Sequence, residues 1–190
     1  YLGFKRNEWL NRPEFKGTKH MSIIKKSAAI AATMVVAAFG GGVFFGPSIS
    51  TEIEISAPAA VVWKELTDGT SYPEWNPFVK HLSGDLVVGK HINVTLQFEG
   101  KTPMNFKPEV LVVDENAEFR WVGKLGFRGV FDGEHYFRLE ETDEGTTILH
   151  HGESFRGVLA YPLIALVGEG TKNGFEAMNQ ALKQRVELKV

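Results

Sequence analysis

The chain has 190 residues, no cysteine and a formal net charge of −2. That length gives one domain a proper core with something to spare, and a composition of 43% hydrophobic and 12% aromatic residues is that of a folding chain. Without cysteine there is no disulfide, thiolate nucleophile or cysteine-held zinc, and the near-neutral charge gives no footing for nucleic acid.

Residues 1–26 are basic, with seven Lys or Arg against two Glu, so the remainder is acidic. Residues 1–20 precede Met21, whose "MSIIKK" has the form of a natural start. They read as upstream translated sequence or part of something longer, and no function is assigned to them. Residues 27–46, "SAAIAATMVVAAFGGGVFFG", carry no charge. Twenty helical residues reach about 30 Å, the thickness of a bilayer's hydrocarbon core. A transmembrane anchor or signal segment is expected here, since the run has no polar face to suit a buried soluble helix. A signal peptide starting at Met21 could be cut near Val35-Val36-Ala37, yet the apolar run continues through Phe45. The basic residues before the span place the N-terminus in the cytoplasm and a domain over 48–190 on the extracytoplasmic side. Cleavage would instead leave that domain secreted or periplasmic.

After Pro47 the period becomes two. "STEIEIS" alternates Glu52 and Glu54 with Ile53 and Ile55, a half-buried strand. "APAAVVWKELTD" reads as a short helix, with Pro58 at its start and Val62 and Leu66 four apart. "GTSYPEWNPF" is a short irregular or helical link. "KHINVTLQF", "TPMNFKPEVLVV" and "AEFRWVGKL" read as strands in succession, Pro103 and Pro108 marking an edge or bulge. "FDGEHYFRLE" and "TTILHHGESF" form a hairpin around Asp143-Glu144-Gly145. Residues 160–188 form a long helix with Leu163, Val167, Thr171, Phe175, Met178, Leu182 and Val186 on its inner stripe. The order predicts an α+β fold whose antiparallel sheet curls around that helix.

"FDGEHYFRLE" packs Asp132, Glu134 and His135 close together, but strand alternation separates them. Phe131, His135, Phe137 and Leu139 face inward, so Asp132 and Glu134 face out and the three cannot hold one metal. On the partner strand Leu149 and Phe155 carry His151 and Glu153 inward. A three-residue loop with Gly at its left-handed position pairs Thr142 with Thr146, which sets His135 opposite Glu153 and Phe137 opposite His151. Directly opposed side chains stand about 5 Å apart. The group reads as a satisfied buried pair, as a polar anchor for a ligand's head group, or as an acid/base pair. A metal is disfavoured because no second acid is in reach. No metal, cofactor or catalytic residue is assigned.

"AAVVWKELTDGTSYPEWNPFVK", "FDGEHYFRLE" and "GFEAMNQALK" resemble the SRPBCC superfamily, the START-like and birch-pollen-allergen-like helix-grip proteins, in its polyketide cyclase/dehydrase-like branch. The similarity runs from about Thr51 to Glu187. It implies a seven-stranded antiparallel sheet wrapped around the C-terminal helix with a hydrophobic cavity between them. Leu96, Met104, Phe106, Trp121, Phe137, Leu149 and Met178 would line that cavity, with His135, His151 and Glu153 as its polar group. Trp75, Asn76, Pro77 and Phe78 match the superfamily's hallmark beside the cavity mouth, or else simply seat the second short helix. The "WNPF" ending argues against the chaperone-ATPase activators, and no residue set matches that of the true cyclases. A membrane-anchored, monomeric domain that binds a hydrophobic small molecule or lipid is expected. The rivals are a cyclase- or hydratase-like enzyme using His135, His151 and Glu153, and an interaction module with a filled core.

Overall fold

The computed structural model describes residues 45–189. The basic segment and all of the uncharged run except Phe45 and Gly46 lie outside the described residues, so the expected anchor is not among them. No described helix is long and apolar enough to cross a membrane.

The chain runs β1 (Ser48–Ile55), α1 (Ala59–Thr67), α2 (Tyr72–Trp75), β2 (Val79–Ser83), β3 (Asn93–Leu96), β4 (Met104–Phe106), β5 (Glu109–Asp114), β6 (Glu118–Lys124), β7 (Asp132–Glu141), β8 (Thr147–Arg156) and α3 (Ala160–Glu187). The α+β class and the long C-terminal helix follow the sequence reading. The single seven-stranded sheet does not. The described strands number eight, in a five-stranded sheet ordered β1-β8-β7-β6-β5 and a three-stranded sheet ordered β2-β3-β4. Two features account for the difference. "VKHLS", to which the sequence reading gave no element, is a strand held against β3 with a bulge between Val79 and His81. "TPMNFKPEVLVV", read as one strand, breaks at Lys107-Pro108, because proline has no N–H to continue the ladder. A narrow seam still joins the sheets: Ile92 N donates to Pro108 O at 3.0 Å and Val110 N to Lys90 O at 2.8 Å.

The hairpin register is the expected one, with His135 opposite Glu153 and Phe137 opposite His151. Gly145, at φ 76°, takes the left-handed position that the three-residue loop requires. Helix α1 begins after Pro58 and buries Val62 and Leu66. Its first turn is capped from β7, where Glu141 accepts from Ala59 N at 3.1 Å and sets negative charge at the positive end of the helix. Along α3 the inner stripe buries Thr171, Phe175, Met178, Leu182 and Val186. Leu163 and Val167, on the same stripe, are only partly covered, and there the core opens.

Candidate functional site

Beneath the first turns of α3 the sheets stand away from the helix and enclose a cavity of about 230 Å³, so the core is not filled. Of the residues expected to line it, Phe78, Leu96, Met104, Phe106, Trp121, His135 and Glu153 do. Phe137, Leu149 and Met178 lie buried in the packed core behind it, as does His151, and Trp75 and Asn76 also stay off its wall. The sequence reading missed Phe98, Phe131, Phe155, Leu163 and Val167, which complete the apolar wall.

The "WNPF" stretch divides its labour. Asn76 is fully buried, and its Oδ1 accepts from Phe78 N at 3.0 Å and Val79 N at 2.8 Å, so it holds the turn. Trp75 Nε1 donates to Ser71 Oγ at 3.2 Å. Only Phe78 reaches the cavity. Its ring sits edge-on to Phe98 (5.2 Å) and Phe175 (5.7 Å) and lies over Gly174, where a Cβ would strike the ring.

The polar group is a directed chain that ends at the cavity wall, where His135 and Glu153 stand. Thr51 Oγ1 donates to His151 O at 3.0 Å, so its lone pairs must accept the Asn179 amide, 2.9 Å away. That orients the Asn179 oxygen towards His151 Nδ1, at 2.7 Å, and makes this nitrogen the donor. His151 Nε2 therefore accepts, and His135 Nε2, at 2.9 Å, donates to it. His135 Nδ1 is left as an acceptor aimed at Glu153 Oε2, 3.6 Å away. At that distance the two make no hydrogen bond, so a proton on Glu153 is not committed to His135. Every link follows from the one before it.

Burial points the same way. It lowers the His135 pKa to about 3. For His151 it holds the pKa well below the ordinary value, with neighbouring His135 adding to the effect and the Asn179 hydrogen bond opposing it. The Glu153 carboxyl is pushed up to about 8 by burial. Both imidazoles are boxed by aromatic rings: Trp121 stacks on His135 at 4.5 Å and 9°, and Phe175 lies 4.1 Å from His151. Gly133 supplies the space for Glu153, since a Cβ there would collide with its Oε1. Glu153 makes no hydrogen bond to a described residue within 3.5 Å, and its side chain keeps 18% of its surface open. A neutral carboxyl with free capacity thus faces an apolar chamber.

A long helix laid across antiparallel sheets, with an apolar chamber and a polar cluster between them, defines an α+β fold of the helix-grip kind. The chain belongs to the family described as polyketide cyclase / dehydrase and lipid transport, whose model matches residues 47–187, within the SRPBCC superfamily. No curated protein matches it in sequence. Among solved structures it is similar to a protein from Mesorhizobium loti (21% identity, 76% of this chain and 99% of that one, TM-score 0.58). It is also similar to a START superfamily protein from Mycobacterium smegmatis (22%, 75% and 99%, 0.57). An aromatase/cyclase from a Streptomyces species shares the fold at 15% identity, covering 74% and 93%, with a TM-score of 0.57.

Proposed function

We propose that the domain binds a hydrophobic small molecule or lipid whose body fills the cavity and whose carbonyl or hydroxyl oxygen accepts from the neutral Glu153 carboxyl. One observation carries this: a largely apolar wall holds a partly buried carboxyl that makes no hydrogen bond to a described residue, and such a group costs stability unless something completes it. Pockets that orient ligands are built in this way, from apolar walls and few polar groups. The chamber exceeds the roughly 150 Å³ that accommodates benzene, so a bicyclic ring system or a short alkyl chain fits, with any remainder leaving through the mouth. Residues 27–46 hold this domain at a membrane, on its extracytoplasmic side.

Gly123 provides the test. It lies on the cavity wall, and a Cβ there has nothing nearer than 4.0 Å, so Gly123→Leu fills the chamber without displacing the sheet. The full chain purified from its own membranes should yield a hydrophobic compound on solvent extraction and mass spectrometry. Gly123→Leu should yield none, with an unchanged melting temperature. Equal yields from both proteins would refute the cavity as the binding site.

The enzyme reading rests on the same carboxyl. A protonated acid with a pKa near 8 is poised for general acid–base work, and the aromatase/cyclase neighbour is an enzyme by its description. If it holds, Glu153→Gln leaves binding intact and lowers turnover by about 10² or more.

A further inference from the structure

The lining residues that are themselves exposed are Met104, Lys124, Leu125 and Val167, so the cavity mouth lies among them. Beyond the mouth stand Phe127, 75% exposed, and Leu166, 81% exposed. These belong to one surface. Val158 N donates to Gly129 O at 3.0 Å and Leu159 N to Val130 O at 2.9 Å, fastening the β6–β7 loop to the start of α3. From Ala160 to Gly168 that helix carries no charge even on its solvent side. An exposed apolar surface of this kind marks a contact site.

Where the chain enters the domain says what the contact is. Tyr161 Oη donates to Phe45 O at 2.7 Å and Phe155 N to Pro47 O at 2.9 Å. The uncharged run 27–46 therefore joins the domain beside the apolar rim. Charge complements this position: Lys124, Arg128 and Arg156 flank the loop, and none of them pairs with a described acid. The acids in these segments are Asp132, whose carboxylate accepts from Gly129 N at 2.9 Å, and Glu169. Apolar side chains ringed by cations suit a surface of anionic phospholipid.

We infer that this rim seats on the bilayer, with Phe127 and Leu166 among the acyl chains and the three cations at the phosphates. The mouth then opens into the membrane, and a hydrophobic ligand enters without crossing water. This rests on the ligand-binding reading of the cavity. The absence of cysteine allows single cysteines to be placed at Phe127, Leu166 and, at the far end of β7, Glu144. Each variant of the full chain carries an environment-sensitive fluorophore and is mixed with phosphatidylcholine/phosphatidylglycerol vesicles containing brominated acyl chains. The chain should float with the vesicles, and the labels at 127 and 166 should lose most of their emission while that at 144 is unchanged. Flotation with all three labels unquenched overturns the docking and leaves the anchor standing. Blue-shifted but unquenched labels at 127 and 166 mean that another protein surface covers the rim, which also overturns it. A chain that does not float defeats anchor and docking together. In each of these cases Gly123→Leu still reports independently on the cavity.

Discussion

Glu153 is held as an acid rather than a carboxylate, and this has a consequence for stability. Its folded pKa is pushed up to about 8, against about 4.3 in an unfolded chain. Between those values the folded state keeps a proton that the unfolded state releases, so stability falls as pH rises through that window. Glu153→Gln removes this loss, because its amide stays neutral at every pH. The variant should melt close to wild type at pH 4 and increasingly above it towards pH 8, as scanning calorimetry would show. Lower melting temperatures at both pH values would contradict the neutral-acid assignment. The histidines act on the acid side: held neutral when folded, they lose ground as pH falls below about 6.5, and both proteins should share that slope. His135, His151 and Glu153 were legible in the sequence from alternation and hairpin register. Asn179 was not, although it left a signal. It stands four residues after Phe175 and three before Leu182, a polar residue on the buried stripe of α3.

At the scale of elements, the β7–β8 pairing was legible because a short loop with one glycine leaves the register little choice. The division into two sheets was not, because Pro108 marks a break without saying whether the chain resumes in the same sheet. The seating of α3 was equally hidden, since it depends on a glycine and a phenylalanine 96 positions apart in sequence, Phe78 and Gly174. That contact can be tested. Gly174→Ala gains roughly 1 kcal/mol of helix propensity, but its Cβ meets the Phe78 ring, which Phe98 and Phe175 hold in place. Overpacking of this kind costs about 1–3 kcal/mol. Denaturant titration should show a net loss of about 1 kcal/mol, with weaker binding of an apolar probe as the ring is driven into the cavity. A gain in stability with unchanged probe affinity would show that the contact yields freely.

For the whole molecule, the sequence could say which side chains face inward but not where they leave space. Leu163 and Val167 share the stripe of Phe175 and Leu182, yet they border the chamber while the others fill the core. That difference arises from how far α3 stands from the sheets along its length, which no local pattern encodes. Among the described residues, a buried polar cluster stands at the wall of an apolar chamber. In the function proposed for it, a neutral acid recognises an acceptor oxygen of the ligand. The most direct test is the affinity of the full chain for a fluorescent naphthyl ketone, whose emission reports on its carbonyl, measured from pH 6 to pH 9 in wild type and in Glu153→Gln. Loss of one hydrogen bond is worth about 0.5–1.5 kcal/mol, or roughly two- to tenfold. Wild-type affinity should fall by that factor as Glu153 ionises near pH 8, and the Gln variant should bind equally well throughout. A wild-type affinity as flat as that of the variant, or a probe that binds neither protein, would contradict the account.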